Sequence, residues 1–451
     1  MEVPSPYNTH TMEGDTMAKR KSTKETKNEA KNEAPKENAV RVLHFADVHI
    51  GMENYGRTDA NTGLSSRVAD FLHRMDDMVE YARENDVDLV IFAGDAFKTR
   101  TPSPTFQREF AWRIRDLAEL APVVMLVGNH DLPPNAVKAS SIEIYDTLNV
   151  PNVWVAQEYT TRKIDTKRGP VIVGTAPYPI RSRLLQHIKT GQRTIKEIDE
   201  VLENQLNEIL QDLAAQADQL DPDNTIPRLL TGHFTVRGAI LGSERSVMLG
   251  RDVQVSIGLL ADPRWDYVAM GHIHKWQNLT EKREGAPPVI YSGSLERIDF
   301  GEEGDEKGFM WVSLARDTTD WKRVPVDARP MMTLRIDCRQ DKLPTQTVIR
   351  EIKKHDLNEA IVRINVQLTP QTDALLNDMR VREALREAGT FHVAGIHRDV
   401  ERAYRTRLDE NPEQLTHEQL LEQYLKTRDH NAEYRDELIE EGTRIIRGEA
   451  E

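Results

Sequence analysis

The sequence predicts an α/β sandwich, and three observations carry that reading. From Val40 onward, apolar runs of strand length alternate with amphipathic stretches of helical period. Five strand-like runs end in a short segment rich in Asp, Asn or His: Asp47-Val48-His49, Gly94-Asp95, Gly128-Asn129-His130-Asp131, Gly232-His233 and Gly271-His272-Ile273-His274. These segments sit just past the carboxyl ends of strands, where α/β sheets gather ligands.

Residues 1–39 are dominated by Lys, Glu, Asn, Thr and Pro, and Lys27-Asn28-Glu29-Ala30 repeats at once as Lys31-Asn32-Glu33-Ala34. Such a stretch cannot bury a core, so a disordered extension is expected. Val40 to Ala46 reads as a strand running into Asp47. Ser66 is then expected to cap a helix carrying Val68, Phe71, Leu72, Met75, Met78, Val79 and Ala82 on one face. Val87 to Ala93 is continuously apolar apart from Asp88, as in a strand covered on both faces. A helix over Thr105 to Leu120 and a strand over Pro122 to Val127 complete a β-α-β-α-β unit. A second amphipathic helix (Ile195, Ile198, Leu202, Leu206, Ile209, Leu213) precedes strands at Arg228–Thr231, Tyr267–Met270 and Val289–Ser292.

A boundary is expected near Asp317 to Pro330, separating residues 40–318 from a small α/β domain over 319–400. That domain reads as strand (Met332–Ile336), helix (Thr345–Lys354), strand (Ala360–Val366), helix (Thr372–Ala388) and strand (Phe391–His397). Residues 401–451 are polar and helical, with a capping box at Thr416-His417-Glu418-Gln419. Apolar stripes follow at Leu420, Leu421, Tyr424 and Leu425, then at Tyr434, Leu438 and Ile439. Helices this short do not hold alone. They either pack on the body or offer an apolar face to a partner.

A chain of 451 residues should hold two or three domains. Lys and Arg number 60 against 74 Asp and Glu, and the net charge of −14 disfavours gripping nucleic acid over the whole surface. Local clusters remain, with Arg181, Arg183, Arg237, Arg245 and Arg251 as candidates, each equally readable as solvated surface. No apolar run is long enough to span a bilayer, so no membrane contact is expected. The N-terminus lacks the apolar core of a signal peptide, which points to a cytoplasmic protein. Cys338 is the sole cysteine, which excludes an intramolecular disulfide and argues against a thiolate metal site.

The five segments read together as a two-metal phosphoesterase centre. Residues i and i+2 of a strand share a face, so Asp47 and His49 can converge on one ion. Asp95 has two oxygens with which to bridge two cations, Asn129 offers a neutral carbonyl, and His233, His272 and His274 add imidazoles. The glycine that opens four of the five motifs lets the chain turn toward the site. Two divalent cations outweigh the charges of Asp47 and Asp95, leaving room for a hydroxide and one phosphodiester anion. An all-N/O donor set suits Mn, Fe or Zn. Asp131 is expected behind the ligands, orienting a neighbouring side chain.

This series of motifs resembles the calcineurin-like metallophosphoesterases over roughly residues 40 to 315. Gly94-Asp95-Ala96-Phe97 with Pro102-Ser103-Pro104, Asp266-Tyr267-Val268-Ala269-Met270-Gly271-His272-Ile273-His274 and Tyr291-Ser292-Gly293-Ser294-Leu295-Glu296-Arg297 narrow the match. With Asp299-Phe300-Gly301-Glu302 and Lys307-Gly308-Phe309, they are similar to the SbcD family, the nuclease component of the exonuclease SbcCD.

The resemblance implies a four-layer α/β/β/α sandwich, a DNA-contacting cap over 319–400 and C-terminal helices that dock on a coiled-coil ATPase of the SbcC type. It implies one metal on Asp47, His49, Asp95 and His274, and another on Asp95, Asn129, His233 and His272. His130 would face the scissile phosphate, and Lys98 and Arg297 are candidate DNA contacts. The implied activity is a Mn-dependent 3′-to-5′ exonuclease and endonuclease on double-strand ends and hairpins, acting in DNA repair. It implies a homodimer within a heterotetramer, formed through Thr105–Leu120 and Ala139–Leu148 with Phe106, Phe110, Ile142 and Ile144. The alternative for those four residues is ordinary core packing. Archaeal and eukaryotic relatives carry a second active-site His where this chain has Lys98, which either meets a phosphate or points to solvent. Two other functions stay open: a phosphodiesterase for nucleotides or other small esters, and a DNA-end-bridging scaffold.

Overall fold

The computed structural model describes residues 38–133, 138–186, 188, 195–242, 252–401, 416–426 and 434–447. The expected N-terminal extension, except Asn38 and Ala39, lies outside the described residues, as do Arg245 and Arg251.

Alternation along β1 (Val40–Phe45) shows how the layers arise. Val40 and Val42 face a core between two sheets, whereas Leu43 and Phe45 face a core under helices. After β1 come β2 (Leu89–Phe92), β3 (Val123–Leu126) and β4 (Val153–Ala156), then β5 (Thr160–Thr166), β6 (Gly169–Ala176) and β7 (Arg228–His233). A small pair, β8 (Thr235–Val236) and β9 (Gln254–Val255), precedes β10 (Tyr267–Gly271), β11 (Gln277–Asn278) and β12 (Val289–Tyr291). Next are β13 (Gly308–Leu314) and β14 (Asp320–Pro325).

One sheet runs β14-β13-β1-β2-β3-β4 and the other β11-β12-β10-β7-β6-β5. In both, the central strands are parallel: β1 to β4 in the first, and β12, β10, β7 and β6 in the second. The sheets face each other across Val42, Ile91, Val124, Val173, Leu229, Ala269 and Ile290, all fully buried. Helices α1 (Ser66–Glu84) and α2 (Pro104–Leu120) cover the outer face of the first sheet, and α3 (Ile195–Leu220) covers the second. This is the expected α/β/β/α order of layers. Among the described residues, no helix is long and apolar enough to cross a membrane.

Several expectations shift. The cap of α1 is Ser65, because the Ser66 hydroxyl is taken by the Arg57 amide. β14 is an edge strand of the first sheet, so the sandwich continues to Pro325, past the expected boundary after residue 318. Strands β4, β5, β6, β13 and β14 went unread in the sequence. Of the residues expected at a dimer contact, Phe110 and Ile142 are fully buried in the core under α1 and α2, and Phe106 packs against it. Ile144 is half exposed, in a single helical turn over Ile144–Thr147.

The second unit is a parallel sheet in the order β15 (Met331–Asp337), β16 (Ile361–Leu368) and β17 (His392–Val400). Helices α4 (Pro344–Ile352) and α5 (Asp378–Glu387) connect the strands and bury Val348, Ile352, Val381 and Leu385 with Leu334, Val362 and Ile364. A junction cluster of Phe300, Met331 and Ile361 joins this unit to the sandwich. Beyond it, α6 (His417–Lys426) opens on the expected capping box: Thr416 N–H donates to Gln419 Oε1 at 2.9 Å, and Gln419 N–H returns to Thr416 Oγ1 at 3.3 Å. Its partner is α7 (Arg435–Arg447), tied to it by Arg447 Nε on Glu418 at 2.8 Å.

Candidate metal centre

Each parallel strand at the middle of the sandwich delivers its C-terminal residues to one rim. β1 delivers Asp47 and His49, β2 Asp95, β3 Asn129 and His130, β7 His233, and β10 His272 and His274. Both sheets contribute, so the ligand set exists only once they are stacked. Cross-sheet hydrogen bonds fix the stacking at this point: His272 N–H donates to both oxygens of Asp47 at 3.1 Å, and His233 Nδ1 lies 2.6 Å from Ala93 O.

Four of these residues sit in the left-handed backbone region, with φ of 53° at Asp47, 49° at His49, 64° at Asp95 and 96° at His272. Non-glycine residues adopt such angles at a cost of about 1–3 kcal/mol each, so the surrounding packing must hold them there. The glycines beside them answer two different needs. Gly94 has φ of +100°, which only glycine adopts freely. At Gly128 the need is space, since a Cβ would fall 2.2 Å from Asp95 Oδ1.

Among the described residues, three groups have donor atoms that all lie within 4.8 Å of one another: Asp47, His49 and His274; His49, Asp95 and His130; and Asp95, His233 and His272. The Oδ2 atom of Asp95 stands 3.3 Å from His233 Nε2 and 3.8 Å from His49 Nε2. One oxygen thus faces both halves, while Oδ1 accepts the His130 amide at 2.8 Å. Asn129 Oδ1 is 3.0 Å from His233 Nε2 and 2.9 Å from His272 Nδ1, and His49 Nε2 is 3.0 Å from His274 Nε2.

Hydrogen-bond accounting shows that a cation fits this cluster. The outer nitrogens of four of the five histidines are committed: His233 Nδ1 to Ala93 O, His272 Nε2 to Asp252 at 3.0 Å, His274 Nδ1 to Glu302 at 2.9 Å and His130 Nδ1 to Lys98 O at 2.8 Å. A neutral imidazole donates once, so the inner nitrogens of His233, His272 and His274 present lone pairs. His233 Nε2 then faces only oxygens, Asp95 Oδ2 and Asn129 Oδ1. Lone pairs facing acceptors repel unless a positive ion lies between them. A proton can partly serve. Burial, the largest single influence, would lower the His233 pKa, yet the charge and hydrogen bond of Asp95, the charge of Asp47 and the bond to Ala93 O together raise it to about 9. Burial would raise the Asp95 pKa, but His233, His130 and His49 together hold it below the usual carboxylate range. Burial pushes Asp47 up to about 6.

Asp131 stands behind the candidate ligands. It accepts the amides of Asp95 (2.9 Å), Ala96 (3.1 Å) and Gly128 (3.0 Å) and the Ser141 hydroxyl at 3.3 Å, and so braces the two loops that carry Asp95 and Asn129. The expectation for Arg297 is corrected. Its guanidinium donates to Ala328 O, Arg329 O and Asp305 O at 2.8–3.1 Å, which turns it into the interdomain junction and away from a role in meeting DNA. Lys98 is half-buried and contributes its carbonyl to His130. Arg181 pairs with Asp199 and Arg237 with Glu203, both through exposed contacts to α3.

Two carboxylates escaped the sequence reading. Asp252 holds His272 and accepts the Tyr178 hydroxyl at 2.7 Å, but it follows no strand and carries no motif. Glu302 holds His274 and pairs with Lys307, both fully buried. A signal for it existed, because Glu302 and Lys307 stand in the segments that carried the family resemblance.

The family model for calcineurin-like phosphoesterase matches residues 40–276. Over 386 residues, the chain is 28% identical to SbcD, the D component of nuclease SbcCD, of Escherichia coli K12, covering 84% of this chain and 90% of the relative. The same figures hold for that protein from Escherichia coli O157:H7. Among solved structures, a dimetal phosphatase from Danio rerio is 12% identical with a TM-score of 0.39, covering 63% of this chain and 96% of that one. Because the family model spans more than half of its length, the chain belongs to the calcineurin-like phosphoesterases, metal-dependent enzymes that hydrolyse phosphate esters.

Proposed function

We propose that this protein is the nuclease component of a DNA repair complex, a Mn-dependent 3′-to-5′ exonuclease and endonuclease on double-strand ends and hairpins. In this reading it works as a homodimer beside a coiled-coil ATPase, in the cytoplasm and near the nucleoid. The observation that carries the reading is the reach of the likeness to SbcD. That likeness covers 84% of the chain, whereas the phosphoesterase family model ends at residue 276. A small phosphate ester would need neither the cap nor the helical pair beyond it. The pair leaves Tyr424, Tyr434, Leu438, Ile445 and Ile446 exposed, which supports assigning it to partner docking.

Asp47, His49, Asp95 and His274 would hold one ion, and Asp95, Asn129, His233 and His272 the other. Bound there, two divalent cations would supply Lewis acidity that lowers the pKa of water and offsets charge on the phosphate. The chain's own residues supply position. One ring nitrogen of His130 lies within 4.8 Å of donor atoms on His49 and Asp95, and its Nδ1 is tethered to Lys98 O. The ring is thereby held at the centre, where its charged form can donate a proton to the leaving oxygen.

The test is an assay in Mn on blunt and hairpin duplexes and on bis-p-nitrophenyl phosphate, with and without the ATPase. Duplex should be cut and the small ester turned over slowly. His130→Ala should lower the DNA rate by about 10²–10⁴ and keep its Mn. Rapid turnover of the ester with intact DNA would replace this reading with a small-molecule phosphodiesterase.

A further inference from the structure

Residues Phe300–Glu302 form one 3₁₀ turn, capped by Asp299, that touches the metal centre on one side and the cap on the other. On the inner side, Glu302 Oε1 lies 2.9 Å from His274 Nδ1. Its Oε2 accepts from Lys307 Nζ at 2.8 Å and from Ile298 N–H at 3.0 Å. Lys307 is anchored in turn to Ser294 Oγ at 2.8 Å and to His274 O at 3.2 Å. On the outer side, Phe300 packs with Met331 and Ile361 from the first two strands of the cap. The Arg363 guanidinium lies 4.2 Å from its ring centre, and Tyr55 meets it edge-on at 5.6 Å. Glu303, the next residue, accepts the Thr333 hydroxyl and faces Arg335 at 3.6 Å.

We propose that this turn is a rigid link through which seating of the cap sets the metal affinity of the His274 half of the centre, with Glu302 as its positioning residue and Phe300 as its anchor. The proposal rests on the metal-centre reading above. Glu302 fixes the His274 tautomer, so that Nε2 faces the site and Nδ1–H faces outward. Such outer partners of ligating histidines typically carry 10–100-fold in metal affinity. A turn of three residues has no slack with which to absorb a shift at Phe300. Displacement there reaches Glu302, and Lys307 prevents that carboxylate from relaxing independently. Substrate that presses on the cap would therefore act on the metal site without touching it.

Mn titration of the full-length protein by calorimetry, with the Mn electron paramagnetic resonance spectrum recorded in parallel, tests the link. The variants are Phe300→Ala, Arg363→Ala and Glu302→Gln, with Arg398→Ala as control, since Arg398 bonds Asp373 and Asp378 within the cap. Wild type should bind two ions. Phe300→Ala and Arg363→Ala should weaken one of them about tenfold, Glu302→Gln should weaken the same one at least as much, and Arg398→Ala should match wild type. Two ions bound with wild-type affinity by both Phe300→Ala and Arg363→Ala, each folded by circular dichroism, would overturn the link alone. Weakening by Arg398→Ala equal to that by Arg363→Ala would also overturn it. No Mn bound by wild type would overturn the metal-centre reading and the link with it.

Discussion

Removing Arg329 should loosen the cap. Its Nε and Nη2 each donate to Asp70 of α1 at 2.7 Å, its Nη1 reaches Glu359 at 2.8 Å, and its guanidinium lies 3.7 Å from the centre of the Phe391 ring. The Arg329 and Asp70 side chains are only 15% and 11% exposed, so solvent screens their forked pair weakly. Breaking a buried pair costs about 3–5 kcal/mol. Asp70 keeps Arg67 at 2.7 Å, which lowers the loss to roughly 2 kcal/mol. The Phe391 stack adds about 0.5–1 kcal/mol. The Glu359 pair adds less than about 0.5 kcal/mol, since Glu359 is 64% exposed. The total is about 3 kcal/mol, or roughly a hundredfold more undocked cap. Hydrogen exchange over residues 326–335 in Arg329→Ala should speed up by that factor, and a double-mutant cycle with Asp70→Ala should give a coupling of about 2 kcal/mol. Unchanged exchange, or a coupling below about 0.5 kcal/mol, would refute the reasoning.

Two further outcomes follow from the sandwich itself. Gly128→Ala should abolish Mn binding measured by calorimetry, because the new Cβ would meet Asp95 Oδ1 at 2.2 Å and the unyielding Asp95 backbone nitrogen at 2.6 Å; wild-type affinity would show that the loop can move. His44, buried between the sheets against Tyr267 Oη and Met270 O, has its pKa lowered to about 3 by burial. Between pH 6.5 and 3 the unfolded chain holds a proton there and the folded chain does not. Its contribution to stability is therefore full above pH 6.5 and is lost as pH falls, at about 1.4 kcal/mol per unit. Urea midpoints at pH 7, 5.5 and 4 should fall less steeply for His44→Gln than for wild type, and parallel lines would count against the assignment.

How well each part could be read from the sequence depended on whether its cause was local. The strand carrying Asp47 and the helix after it announce themselves through period and apolar runs, and the cap elements through the same signals. β5 and β14 do not, because they are edge strands with half-exposed, mixed faces. Without a continuous apolar run, a strand leaves little local trace. Arg297 shows the opposite failure. A basic residue in a motif near the site reads as a DNA contact, yet its partners are main-chain carbonyls, which have no sequence signature.

The residue types of the candidate ligands, their order, and their place after parallel strands were all determined by the chain alone, since each follows from local pattern and from the chemistry of carboxylate, amide and imidazole. Folding decided the rest. Only stacking the two sheets brings Asp95 Oδ2 between His233 and His49, selects which nitrogen of His233, His272 and His274 faces inward, recruits Asp252 from a segment with no pattern of its own, and gives Glu302, visible in a motif, its place behind His274. Tautomer and bridging geometry are set by partners distant in sequence, and a contact between distant residues leaves no mark on the spacing of either.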